Sequence, residues 1–271
     1  MRLLGFDVET TGIDTATARI WQVATNEREW IVNPGVSIPD DVREICRIDD
    51  ALMARIQSAP MWAQVQEEVI AHLQTADALV TMNGVKYDEP VLRAHIGDTI
   101  ALPPVIDVRI LATEFLPDIG DHQVGETKFS GYKLGNLAIE TGLLTGDTLV
   151  TSAHNAVFDC WVTLGVFNRL PCRFGPLERV LAFQREAMAL QDADWDRFGV
   201  IPEDGPKFLW FRTCRDCKQA FTGRRLKPCR SCEGWGILHQ TRKRRGKPVD
   251  ANFLRWLRGL DSCPKALKER N

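Results

Sequence analysis

Long apolar runs are missing from this sequence. Nothing in its 271 residues approaches the ~20 consecutive apolar positions that a membrane-crossing helix needs, so a helical membrane protein is excluded. The start, Met1-Arg2-Leu3 running straight into Asp7, lacks the apolar core and cleavage site of a secretory signal. The expectation is a soluble cytoplasmic protein, and outside a secretory route a disulfide framework is excluded as well. No internal repeat is found, which removes solenoids and propellers.

A large net charge is also missing, but the formal −2 hides an asymmetry. Residues 1–170 hold 12 Lys+Arg against 24 Asp+Glu, whereas residues 207–271 hold 18 basic and 5 acidic side chains. An acidic body joined to a basic end implies a polyanionic partner held by the second and processed by the first. The eight cysteines divide in the same way. Cys46, Cys160 and Cys172 are scattered through the body, while Cys214-x-x-Cys217 and Cys229-x-x-Cys232 form two matched pairs, with Cys263 left over.

The order of elements predicts an α/β fold. Arg2 to Val8, Arg19 to Thr25 and Glu29 to Val32 read as strands separated by turn residues. Trp62, Val65, Val69 and Leu73 fall on one helical face, a short strand follows at Ala78 to Thr81, and Asp88 to His95 reads as a helix with Pro90 in its first turn. A strand at Pro104 to Ile106 and helices from Asp107, from Lys133 to Glu140 and from Asn155 to Arg169 complete the body. Three strands followed by interleaved helices and strands give a sheet with helices on its faces. An amphipathic helix is expected between Phe174 and Asp194, with a boundary at Asp204-Gly205-Pro206. The resulting division is residues 1–171, a helical linker at 172–206, a cysteine module at 207–240 and a basic helical tail at 241–271.

Chemistry concentrates at Phe6-Asp7-Val8-Glu9-Thr10-Thr11-Gly12. Residues i and i+2 of a strand project from the same face, so Asp7 and Glu9 stand side by side and repel each other unless a cation joins them. Asp88 opens a helix after a strand-end loop, where a carboxylate can be a cap or a ligand. His154 precedes the next candidate helix and Asp159 lies in its first turns.

These residues, in this order and at these intervals, resemble the DEDDh 3′→5′ exonucleases, the family of bacterial proofreading subunits, ribonuclease T, oligoribonuclease and exonuclease X. The first motif is Asp7-Val8-Glu9-Thr10-Thr11-Gly12, the second ends in Tyr87-Asp88, and the third is His154-x4-Asp159; the segment from His154 to Thr163 is most similar to exonuclease X. Ile106-Asp107-Val108 is similar to the family's Val-Asp-Thr. The chain departs from the pattern where Cys46-Arg47-Ile48 replaces His-Gly-Ile and where Asn83-Gly84 precedes the second motif. The resemblance covers about residues 1–170 and implies a ribonuclease H-like core, a mainly parallel sheet with its second strand reversed. It further implies an exonuclease hydrolysing phosphodiesters at 3′ ends, with Asp7, Glu9, Asp88 and Asp159 holding two Mg²⁺ or Mn²⁺ ions and His154 as general base. Thr10, Thr11 and Ile48 are the implied contacts to the terminal nucleotide. The residue types suit the reaction. Hard divalent cations prefer carboxylate oxygens, two such ions serve both the attacking water and the leaving oxygen, and an imidazole accepts a proton near neutral pH. Single-stranded or frayed DNA ends are the first choice of substrate and RNA ends the second. A non-catalytic nucleic-acid binder is the alternative of a different class.

Cys214, Cys217, Cys229 and Cys232 have the spacing of a structural zinc site, two sulfurs from each of two tight turns and a closed tetrahedron of thiolates. The apolar residues between the pairs are too few for an independent core, so the ion itself supplies folding energy. Arg224, Arg225, Lys227, Arg230 and the Arg242-Lys243-Arg244-Arg245 run offer phosphate contacts, with Trp210 and Trp235 as stacking surfaces. The expected metal content is one Zn²⁺ per chain. Chelation should raise the protease susceptibility of residues 207–271 while the body stays resistant, and a chain that carries no zinc as purified would exclude the assignment.

Overall fold

The computed structural model describes residues 1–116, 119–152, 156–170 and 175–198, together with strand residues 212–213, 220–221, 227–228 and 235–236. Two compact units are distinguished, one of Met1–Arg109 with Asp121–Arg169 and one of Ile110–Gly120 with Leu170–Asn271. Among the described residues no helix is long and apolar enough to cross a membrane.

The first unit is built on a mixed five-stranded sheet flanked by helices, in the order β3-β2-β1-β4-β5. Its strands are β1 (Leu3–Thr10), β2 (Ile20–Thr25), β3 (Glu29–Ile31), β4 (Ala78–Thr81) and β5 (Val105–Asp107). β2 runs antiparallel to both neighbours while β1, β4 and β5 are parallel, so the reversed second strand expected from the sequence is present. The helices of this unit are α1 (Asp40–Ile45), α2 (Asp50–Ser58), α3 (Trp62–Leu73), α4 (Asp88–Ile96), α6 (Leu134–Glu140), α7 (Gly146–Ser152) and α8 (Ala156–Phe167). Between α4 and α6, α5 (Val108–Phe115) follows directly on β5, and a hairpin of β6 (His122–Val124) and β7 (Thr127–Phe129) comes next.

Strand alternation decides what β1 shows to each side. Leu4, Phe6 and Val8 are buried with Val65, Val69 and Leu73 of α3 and Val91 and Leu92 of α4. Each such side chain contributes roughly 1.5–3 kcal/mol when fully buried, so this layer fixes the register of the strand. Leu3, Gly5, Asp7 and Glu9 face the opposite way. There α8 lies on the sheet over small side chains, with Ala24, Ala156 and Cys160 forming one buried cluster. The approach is closest at Gly5, where a Cβ would stand 2.3 Å from the Cys160 carbonyl oxygen. Glycine there is a spacing requirement, and it brings the helix carrying Asp159 down onto the strand carrying Asp7 and Glu9.

Two short helices, α1 and α2, do not stand out in the apolar pattern. α1 has no fully buried residue and is closed by its C-terminal turn. The Ile48 N–H bonds to the Arg43 carbonyl at 2.8 Å and the Arg47 N–H to the Glu44 carbonyl at 3.2 Å, with Arg47 in the left-handed region at φ 52°. That is the six-to-one and five-to-two pairing of a Schellman turn, normally completed by glycine. Ile48 then enters a satellite core with Trp21, Ile38 and Ile56. α2 is capped by Asp49, whose carboxylate accepts the Leu52 N–H at 2.7 Å.

In the second unit, Phe115 tilts against Phe183 of α9 (Leu177–Phe198) with ring centroids 5.1 Å apart. Arg212–Thr213 pairs antiparallel with Ala220–Phe221, and Lys227–Pro228 with Trp235–Gly236. In sequence each strand pair brackets one Cys-x-x-Cys segment. The cysteines themselves, the interval 199–211 and the tail at 241–271 lie outside the described residues.

Gly5→Ala should destabilise the first unit by about 1–3 kcal/mol in urea unfolding, because neither neighbour that must move is a flexible side-chain end. Gly12→Ala, whose Cβ would meet nothing within 4 Å, should stay within about 0.5 kcal/mol of the parent. Equal stability of the two variants would contradict the close approach.

Candidate active site

Asp7 and Glu9 project from β1 at a point where the strand has lost one neighbour. β4 pairs with β1 only along Leu3, Leu4 and Gly5 and ends at Thr81, so the β4-facing edge of β1 is open beyond that register. The Val8 N–H, which points to this edge, donates to Asp88 Oδ1 at 3.0 Å. Asp88 is therefore no helix cap. Tyr87 occupies the N-cap position without a side-chain cap bond, and the Asp88 carboxylate, 3% exposed, reaches across to the first strand.

The loop that delivers Asp88 is itself held by an acid. Asp107, at the end of β5 and 1% exposed, accepts the N–H groups of Asn83 at 3.1 Å, Val85 at 3.3 Å and Arg109 at 2.9 Å. Arg109 in turn donates to the Asn83 side chain at 3.0 Å, and Asn83 takes a left-handed φ of 69°. Gly84 is required next, since a Cβ there would fall 2.3 Å from the Thr81 hydroxyl. The sequence places Asp107 in a motif but gives it no role; an acid that ends an apolar strand and opens a helix was the available signal.

On the opposite flank the Cys46 thiol donates to Glu9 Oε2 at 3.4 Å. Burial, followed by the negative charges of Glu9 and Asp7, pushes that thiol up to about 12 and keeps it protonated as a donor. Asp159 sits half-buried in the first turn of α8.

The four acids feel one another. Burial raises the Asp7 carboxyl well above the ordinary carboxylate range, and Asp88, Glu9 and Asp159 add to the shift in that order. Burial also raises Glu9, with the Cys46 hydrogen bond opposing it. Asp88 rises to about 7, again through burial first, despite the N–H bonds that favour its anion, with Asp107 and Glu9 adding repulsion. Nearby Cys160, buried on the sheet, is raised by burial and then by Asp7, Asp88 and Asp159.

Such a set fits a hard divalent cation, because the cost of holding these oxygens as anions is what an ion among them removes. Among the described residues, no three such donors are closed around one point as a finished cage. The fit lies in the donor chemistry and the shared field. His154 falls outside the described residues.

The three residues expected to meet a nucleotide are engaged within the protein. The Thr10 and Tyr87 hydroxyls lie against each other and both face the Gly12 carbonyl, at 2.7 and 2.5 Å. Thr11 bonds to the Arg19 backbone through its N–H at 2.9 Å and its hydroxyl at 3.0 Å. Ile48 is 5% exposed in its satellite core.

No protein-family model matches the sequence, and no curated protein matches it. Solved structures similar to this chain include E. coli exonuclease I in complex with a dA16 oligonucleotide, at 16% identity and a TM-score of 0.49 over 69% of this chain and 45% of that one. The zinc-ion-bound form of the E. coli exonuclease I–ssDNA complex aligns at 16% identity and 0.49 over 69% and 44%. A moderately thermophilic exonuclease I from Methylocaldum szegediense aligns at 16% and 0.47 over 79% and 48%. The chain thus spans less than half the length of these proteins.

A carboxyl raised on folding stabilises below its unfolded value, about 3.9 for Asp, and that contribution is lost as pH rises through the folded value. Without divalent ions, the stability that Asp88 supplies should fall by on the order of 2 kcal/mol between pH 5 and 8. Urea midpoints in EDTA for the parent and Asp88→Asn should diverge in that sense, with the variant flatter and Mn²⁺ restoring the parent at pH 8. Parallel pH profiles would contradict the assignment.

Proposed function

We propose that this chain is a metal-dependent 3′→5′ exonuclease that hydrolyses phosphodiester bonds at nucleic-acid 3′ ends, DNA favoured, and releases 5′-nucleotides. The observation that carries the reading is the convergence on β1. Acids separated by about 80 and 150 positions in sequence raise the Asp7 carboxyl together, and one of them is bonded to the strand between Asp7 and Glu9. Side chains that gain nothing from one another as anions come together for a cation.

In this reading Asp7, Glu9, Asp88 and Asp159 hold two Mg²⁺ or Mn²⁺ ions, which when bound make a water more acidic and neutralise the leaving 3′-oxygen. The protein's own groups set the geometry. Val8 N–H fixes one Asp88 oxygen, the Cys46 thiol orients Glu9, the Asp107 loop carries Asp88 forward, and Gly5 seats the helix of Asp159. His154, five residues before Asp159, accepts the water's proton. Thr10, Thr11 and Ile48 border the terminal nucleotide through the surfaces their internal bonds leave.

The body at residues 1–171 is joined through a helical linker at 172–206 to a zinc module at 207–240 and a basic tail at 241–271. Cys214, Cys217, Cys229 and Cys232 hold the zinc, a reading supported by the two short antiparallel strand pairs that bracket them. The basic end grips single-stranded or frayed ends by releasing counterions.

Incubation with 5′-labelled single-stranded DNA, double-stranded DNA and RNA in Mg²⁺, Mn²⁺ or EDTA tests the reading and its sugar preference together. A ladder shortening from the 3′ end, absent in EDTA, is expected. Asp7→Ala and His154→Ala should lower the rate by roughly 10²-fold or more while the far-UV spectrum is kept. Undiminished cleavage by both variants, or binding without cleavage by the parent, would refute it.

A further inference from the structure

Resting on the nuclease reading, one feature at the rim of the carboxylate cluster has no structural use for its side chain. Arg47 follows Cys46, whose thiol touches Glu9, and precedes Ile48, whose side chain is committed to the core. Its backbone sits at φ 52° in the closing position of the α1 Schellman turn, where glycine carries no steric cost and an arginine does. The turn is complete through main-chain bonds alone, Ile48 N–H to Arg43 and Arg47 N–H to Glu44. The fold therefore asks for a left-handed residue at this point and not for a guanidinium. Arg43, on the same element, is drawn to Asp40 and Asp50 at 4.0 and 3.5 Å, whereas the exposed Arg47 side chain leaves the chain one residue from the contact with Glu9.

We infer that Arg47 is a substrate-binding residue, its guanidinium receiving a backbone phosphate of the nucleic-acid strand at the edge of the acidic cluster. Strain held at a site's border marks a functional constraint. An acid-lined centre in a body with twice as many acids as bases repels a polyanion. A planar fork of donors is the group suited to hold a phosphate against that field.

The test uses the full chain with a single-stranded oligonucleotide and compares the parent with Arg47→Gly and Arg47→Lys. Arg47→Gly should unfold at an equal or higher temperature, since the turn is relaxed. Its KM should rise roughly tenfold, the worth of one charge-assisted hydrogen bond, with kcat within about twofold. The slope of log affinity against log salt should shrink by about 0.7, one phosphate contact on a single strand, and Arg47→Lys should restore most of that slope. A glycine variant that cleaves with parental KM and salt slope overturns the inference and leaves the nuclease reading intact, as does one that loses stability without a change in slope. A parent chain that cleaves neither DNA nor RNA overturns both.

Discussion

Mutual repulsion among buried carboxylates at the open end of β1 is the constraint on which the rest of this structure depends. Asp7, Glu9, Asp88 and Asp159 come from three separate parts of the chain, and burial and neighbouring charge hold Asp7, Glu9 and Asp88 above the ordinary carboxylate range. A fold selected for stability alone separates such groups or pairs them with bases. Here the surrounding architecture forces them together.

Three devices do the forcing, each a packing or hydrogen-bonding solution to the same problem. β4 stops short of β1, which exposes the Val8 N–H to Asp88. Asp107 gathers three N–H groups and thereby fixes the turn that carries Asp88 forward. Gly5, with Ala24, Ala156 and Cys160, allows α8 to descend onto the sheet and bring Asp159 to the face of Asp7 and Glu9. Loosening any one device relaxes the repulsion and weakens the site, so stability and function oppose each other at these positions.

Much of this was legible in the sequence because it rests on short periods. The i, i+2 relation of Asp7 and Glu9, the helical stripe of Val65, Val69 and Leu73, and the buried run of Ala78 to Thr81 each follow from local geometry. The sheet with its reversed second strand follows from the resemblance that the acids and the histidine carry. The remainder depends on contacts that no local pattern encodes. Helices α1 and α2 are too short to show a stripe and are set by the Schellman turn, the Asp49 cap and Ile48 and Ile56 in the satellite core. The β6–β7 hairpin and α7 lie in a polar stretch without a regular period. Asp88 reads in sequence as either cap or ligand, and only the position of the Val8 N–H separates the two. The bond from Cys46 to Glu9 and the loop-holding role of Asp107 are tertiary facts. The histidine and the four paired cysteines lie outside the described residues, so their parts stand on spacing and chemistry.

Anomalous diffraction from crystals of the full chain grown with Mn²⁺ tests the central claim most directly. The account predicts two manganese peaks, about 3.5–4 Å apart, with oxygens of Asp7, Glu9, Asp88 and Asp159 as their protein ligands. Manganese bound elsewhere, or none at this cluster at a concentration that supports cleavage, would contradict it.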